Sequence, residues 1–463
     1  MALVESLVER INALEERVEA LENQRSKTSR NSSKPPSGDG FGKRTKSLRQ
    51  KSERPSGGQP GHPGNTLKWS MEPDQVERHG VEACSGCGES LVKTPVEQWE
   101  ARQVHDLPLI QRVVTEHQCE VKSCPKCGVL NRGTFPVEVS QSVQYGANLQ
   151  GLMVYLMELQ LLPSQRVVQV LREVFGAEVS EGTLYNVRSR CFEALAASEA
   201  QIKTALQSAA VLHFDETGLR VKNQLWWLHV ACTERLTFYF VHAKRGQEAM
   251  DELGILAGFA GVAVHDGLRS YAAYEAVHSL CNAHHLRELV FIQERYQQAW
   301  AEQMIALLVQ MKRQVDTAIA AGQSALVPST LAELEQQYAD ILKTGFEANL
   351  PEPVPKEQPK RRGRKKQSPA KNLLDRLQSK QEEVLRFLHH FNVPFDNNQA
   401  ERDLRMMKLK QKISGCFRSQ AGARMFCRIR GYLSTLRKQG HNVLDALVQL
   451  FMGVPISPLL AAE

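Results

Sequence analysis

The sequence predicts a multidomain α+β protein, and three observations carry that prediction. A heptad of apolar residues opens the chain, two Cys-x-x-Cys pairs follow at Cys84/Cys87 and Cys124/Cys127, and short apolar strand-like runs between 206 and 296 interrupt a pattern that is otherwise mostly helical. At 463 residues the chain is long enough for several domains and a substantial core. Apolar content of 42% and charged content of 24% are those of an ordinary soluble protein. The net charge of +7 is gathered at 26–68, 360–371 and 402–438, which points to a polyanion partner rather than a membrane surface. For the first two clusters the alternative is a linker kept soluble by charge.

No stretch at the N-terminus resembles the apolar region of a signal peptide, and no segment reaches the roughly 18 apolar residues that span a bilayer. The most apolar window, Leu149 to Leu162, is interrupted by Glu158 and Gln160 and reads as a core helix. The expectation is a cytoplasmic protein whose ten cysteines are reduced, in which paired cysteines bind metal rather than each other.

Residues 1–25 read as a coiled coil. Val4, Ile11 and Val18 occupy the a positions and Leu7, Leu14 and Leu21 the d positions, a choice that favours a parallel two-stranded assembly and so at least a dimer. One amphipathic helix packed on its own domain is the alternative. Residues 26–75 form a basic, Ser/Gly/Pro-rich linker suited to contacting phosphates without reading sequence.

In 76–135 each Cys-x-x-Cys pair is followed by a glycine, Gly88 or Gly128, as a tight metal knuckle requires. Cys84, Cys87, Cys124 and Cys127 therefore predict one structural Zn²⁺ in a ribbon-like domain, with strands at 98–107 and 111–121 between the pairs. Residues 140–205 read as helical. A helix from Pro163 to Phe175, stopped by Gly176, and a second begun by Ser180 resemble a helix-turn-helix, with Thr183, Asn186, Arg188 and Arg190 on the second helix; a hairpin buried in a core has the same pattern.

From 206 to 296 the predicted order is βββαβαβα. The first strand, 210–215, ends in Asp215 and the fourth, 261–267, ends in the second acid, Asp266; a hairpin of 224–232 and 236–243 and a fifth strand near 278–283 complete the set. This is the element order of a ribonuclease H-like fold, in which the first and fourth strands are neighbours. A helical insertion at 297–390 follows, broken by a basic linker containing Arg361-Arg362-Gly363-Arg364-Lys365-Lys366. The last part of the core, 391–452, begins with Pro394 to Arg405, where the Asp-Asn-Asn run ends one segment and either asparagine can cap the next helix. Glu401 lies in its first turns beside Arg402, with Arg405 one turn on; this is either a structural ion pair or a metal ligand facing an anionic substrate. Residues 453–463 are a tail. Three dispersed carboxylates, Asp215, Asp266 and Glu401, suit a two-metal phosphoryl-transfer site.

Several motifs together resemble the insertion sequence 66 family of transposases along nearly the whole chain. They are Asn31-Ser32-Ser33-Lys34-Pro35-Pro36-Ser37, Gly58-Gln59-Pro60-Gly61-His62, the double Cys-x-x-Cys, His213-Phe214-Asp215-Glu216-Thr217, Asp266-Gly267, Cys281-Asn282-Ala283-His284 and, most specific, Asp396-Asn397-Asn398-Gln399-Ala400-Glu401-Arg402. The resemblance implies a DDE transposase that binds the terminal inverted repeats of its element and target DNA, with Asp215, Asp266 and Glu401 holding two Mg²⁺ or Mn²⁺ ions. Arg402, Arg405, Lys408 and Arg188 are the expected DNA contacts. A metal-dependent nuclease without strand transfer and a zinc-dependent DNA-binding regulator are the alternatives.

Overall fold

A computed structural model describes residues 2–28, 30–32, 67–107, 110, 112–350 and 367–460. Most of the basic arm and the Arg361–Lys366 cluster lie outside the described residues. The described part is a mixed α+β structure. Helix α1 is Ala2–Ser26, and a short antiparallel hairpin pairs β1 (Val121–Ser123) with β2 (Leu130–Arg132). Helices α2 (Ala147–Val154), α3 (Ser164–Phe175), α4 (Glu181–Ala194) and α5 (Ala196–Gln207) lead into β3 (Val211–Val221), β4 (Gln224–Cys232) and β5 (Thr237–His242). Then come α6 (Gln247–Leu253), β6 (Val262–His265), a 3₁₀ turn at Arg269–Ala273, β7 (Val277–Leu280) and α7 (Asn282–Tyr296). The chain continues through α8 (Ala299–Ala320), α9 (Pro328–Glu347), α10 (Pro369–Ser379), α11 (Gln381–His389), α12 (Asn398–Ser414), α13 (Gln420–Lys438) and α14 (Val443–Phe451).

Strands β3 to β7 form one sheet in the order β5-β4-β3-β6-β7, antiparallel across β5-β4-β3 and parallel across β3-β6-β7. The neighbouring first and fourth strands of this sheet are those expected from the element order. Asp215 does not end its strand, however. β3 runs on to Val221 because its second half remains paired with β4 after it leaves β6. The sheet is sandwiched by helices: Phe214, Phe259 and Tyr271 fill one cluster, while Leu228, Val230 and Tyr239 pack with Leu404, Met407 and Phe426 of α12 and α13 in another. Gly431 lets α13 lie close to β5, since a Cβ there would come within 3.2 Å of the Thr237 carbonyl oxygen.

The helical segment before the sheet is not packed by itself. Val167, Leu184 and Val187 share one core with Ile429, Leu433 and Leu447 of α13 and α14. As expected, Gly176 closes α3 in the left-handed region at φ 58°, and the Ser180 hydroxyl caps α4 by accepting from the Thr183 N–H. The long insertion builds a separate core around Trp300, Tyr338 and Phe387. Among the described residues no helix is long and apolar enough to cross a membrane.

The strands expected at 98–107 and 111–121 are absent from the described residues there, apart from the first residue of β1 at Val121. Their alternating apolar side chains find nothing to pack against: Val104 is 91% and Val113 85% exposed. Alternation produces a strand only where one face is buried and a neighbour takes up the backbone bonds.

Candidate active site

The three sequence-predicted acids arrive on three elements. β3 and β6 pair at Val211–Val262, Leu212–Ala263 and His213–Val264, a constant offset of 51 residues. Asp215 and Asp266 carry that same offset, two positions beyond the last pair, where β3 departs towards β4. Asp266 is the first residue after β6, and its Oδ1 accepts from the Leu268 N–H at 2.9 Å. Between them Gly267 adopts φ 88°, a backbone that side chains other than glycine enter with strain. Glu401 lies in the first turn of α12.

Asn397 ties that helix start to the sheet. It is 1% exposed and stands at the cap position of α12, yet its side chain does not cap the helix. Instead Oδ1 meets His213 Nδ1 at 2.8 Å, Nδ2 donates to the Phe214 carbonyl at 2.7 Å, and the backbone N–H donates to Cys281 Sγ at 3.1 Å. One side chain thus links the start of the Glu401 helix to the two residues before Asp215, while its backbone joins it to the end of β7. Polarity in a run of cap-forming residues conceals this role in the sequence.

Charge is concentrated here. Burial first, then the Glu216, Asp266 and Glu401 carboxylates, hold Asp215 well above the usual carboxylate range. Alternation along β3 separates Glu216 from Asp215, but only in part. Glu216 is buried, and its carboxylate accepts from Arg245 Nε at 2.8 Å and from the Tyr271 hydroxyl at 3.0 Å. Burial raises its pKa too, followed by Asp266, against the pull of Arg245. Arg245 also reaches Asp266 at 3.7 Å and lies over the Trp227 ring. Glu401 accepts from Arg287 Nη2 at 2.9 Å, and His284 Nε2 lies 3.9 Å from the same oxygen. Arginine side chains from outside the predicted set therefore stand against both Asp266 and Glu401. Neither Arg245 nor Arg287 is marked by a local motif.

The neighbouring acids are engaged elsewhere. Asp403 bonds Lys438 at 2.6 Å and the Thr237 hydroxyl at 3.1 Å, and Asp396 receives the Asn398 N–H. Of the four predicted DNA contacts, Arg402, Arg405 and Lys408 are exposed on α12. Arg402 donates to Gln399 at 2.6 Å and Lys408 to the Gly218 carbonyl at 3.3 Å. Arg188 is turned inward, contrary to the expectation for a helix-turn-helix. It pairs with Glu158, which is 2% exposed, and donates to the Gly422 carbonyl at 2.9 Å. A carboxylate buried in the apolar Leu149–Leu162 run requires a cation, and Arg188 supplies it.

Both Cys-x-x-Cys turns are formed, and alike. The Cys84 N–H donates to the Glu89 carbonyl and Gly88 N–H to Cys84; the Cys124 N–H donates to Val129 and Gly128 N–H to Cys124. Gly88 and Gly128 take φ 79° and 73°. Backbone N–H groups aimed at the sulfur, first that of Cys87 for Cys84 and that of Cys127 for Cys124, hold these thiols below the ordinary cysteine value. Each turn is thus suited to a thiolate-bound cation. The four thiols are nevertheless not drawn into one cluster: among the described residues, the single group of three or more donor side chains within 4.8 Å of one another is Cys281, His284 and Glu401.

A family model described as the transposase IS66 family matches residues 142–425, and a second, described as a family of unknown function, matches residues 1–68. No curated protein is significantly similar to the chain.

Proposed function

Since this chain belongs to the IS66 family of transposases, we propose that it moves its element by DDE chemistry: metal-dependent cleavage of DNA at the element's ends, then strand transfer to target DNA. The β3–β6 pairing that ends two residues short of Asp215 and Asp266, with the start of the Glu401 helix tied to β3 through Asn397, is the observation that supports this reading. The sheet order and the helical insertion before Glu401 support a ribonuclease H-like core.

Asp215, Asp266 and Glu401 offer the oxygen donors that hard cations take, and their mutual repulsion marks a place built for added positive charge. Two Mg²⁺ or Mn²⁺ ions held there would activate the attacking oxygen, a water and later the freed 3′-hydroxyl, and stabilise the leaving one. Arg245 and Arg287 balance the acids and can turn to phosphate oxygens when cations take their place. Arg402, Arg405 and Lys408 extend the basic surface along α12. Arg188 serves packing instead. Cys84, Cys87, Cys124 and Cys127 would hold Zn²⁺ as a structural ion, each knuckle offering two thiolates. Helix α1 exposes Leu7, Ile11, Leu14, Val18 and Leu21, the seam of a self-association contact.

The test is incubation of the purified protein with DNA carrying its element's ends and Mg²⁺, followed by mapping of 3′ ends and joined products. Glu401→Gln keeps the shape and removes the charge. It is expected to lower cleavage at least about 100-fold, some 2.7 kcal/mol of barrier, with DNA binding retained. Cutting without joining would make the protein a nuclease, and specific binding without cutting a zinc-dependent regulator.

A further inference from the structure

We propose that Cys281, His284 and Glu401 form a separate metal site for a zinc-like, sulfur-tolerant divalent cation, and that filling it withdraws Glu401 from the catalytic centre. The binding site stands on its own geometry; only its inhibitory consequence rests on the transposase reading. Cys281 closes β7 and stands at the cap position of α7, anchored by its N–H to the His265 carbonyl at 2.9 Å. His284 follows three residues later, on the same side of the helix start. Glu401 comes from α12, fixed to this corner because the Asn397 N–H donates to the Cys281 sulfur.

The three donor atoms lie within 4.8 Å of one another. Tetrahedral zinc, with bonds of about 2.0–2.3 Å, spaces its donors roughly 3.3–3.8 Å apart, so modest side-chain turns close the set. Thiolate, imidazole and carboxylate together are a borderline-soft donor set with one position left open, which favours zinc-like ions over Mg²⁺. His284 supplies an independent sign. Its Nε2 lies 3.9 Å from Glu401 Oε1 and its Nδ1 is buried with no hydrogen-bond partner, so no hydrogen bond of the ring has to be broken for it to take a cation. The remaining competitor is Arg287, one turn further along α7, which holds Glu401 at 2.9 Å and would be displaced. Binding releases the Cys281 proton, which burial holds in place up to about 12.

Cobalt(II) is the probe, added to full-length protein in excess Mg²⁺. Wild type should take up one more cobalt than Cys281→Ser, which keeps an acceptor for the Asn397 N–H, and the difference spectrum should contain a thiolate-to-cobalt band that zinc removes. The knuckle cysteines are common to both proteins and cancel. If Cys281→Ser unfolds, His284→Gln is read for the same lost equivalent. In cleavage assays, micromolar zinc over millimolar Mg²⁺ should inhibit wild type at least tenfold more than the variant. Equal cobalt uptake and equal spectra overturn the site. Extra cobalt in wild type with equal zinc sensitivity overturns the inhibitory role, and extra cobalt in a protein that never cuts DNA leaves the site standing while the transposase reading fails.

Discussion

In residues 76–135 the first cysteine of each pair is positioned by its sequence neighbours, whereas the acids of the sheet core come from remote segments of the chain. Cys84 and Cys124 are set by backbone bonds spanning four or five residues. Asp215, Asp266 and Glu401 are 51 and then 135 residues apart and owe their relative placement to strand register and one buried asparagine, although the three carboxylates do not form a set within 4.8 Å of one another. The first arrangement forms wherever the turn forms, but leaves each thiol pair alone until something joins the two. The second needs the whole core, and in return gathers like charges that no local structure would hold together.

Asn397→Ala should break the core side of this contrast most severely after loss of Glu401 itself. It removes the partners of His213 Nδ1 and the Phe214 carbonyl inside the core. About 2–4 kcal/mol of stability should be lost in chemical denaturation, with cleavage falling further than in a surface control of equal stability. A wild-type unfolding midpoint would show that Asn397 does not hold the two elements together.

Chelation should act on the other side. EDTA is expected to raise the rate of proteolytic nicking within 76–135 roughly tenfold, while the melting of the core shifts by no more than about 2 °C. A core that melts much earlier in EDTA would mean that the two regions are not energetically separate.

Asp215→Asn sharpens the comparison through pH. The folded pKa of Asp215 lies above its unfolded value of about 3.9, so the folded protein binds more protons and stability falls as pH rises through that window. Without metal, Asp215→Asn should therefore melt higher than wild type at pH 8, and the advantage should vanish below about pH 3.9. Each ~1 kcal/mol regained is worth about 2–4 °C in a domain of 150–250 residues. Metal affinity of wild type should rise over the same pH window, because the proton must leave first. A variant that melts lower than wild type at pH 8 would contradict the crowding of charge.

The smallest effect on stability is expected at Ile11→Asp. Ile11 is exposed on α1, so the fold should lose less than about 0.5 kcal/mol while self-association weakens. Sedimentation that gives the same mass for both proteins would remove α1 from the contact.

Sequence alone determined what depends on short-range rules. Gly176 and Ser180 mark helix ends because a left-handed backbone and a side-chain cap each need a particular residue type. The hairpin β4–β5 and the parallel strands β6 and β7 are legible because short runs rich in apolar residues, bounded by turn residues, read as buried strands. Asp215 and Asp266 stand out as candidates because each follows an apolar run, and Glu401 because it begins a helix after a polar Asp-Asn-Asn run. Tertiary structure decided which polar residues face each other. By sequence Arg188 reads as a surface contact, whereas in the fold Glu158 lies buried opposite it; Asn397 reads as a cap, whereas the strand beside it offers His213 and Phe214. Arg245, Arg287 and the Cys281–His284–Glu401 corner were invisible for the same reason. A period of 2 or 3.6 says which side of an element is buried, but a polar partner is chosen by distance in space, and distances between remote segments are fixed only when the core closes.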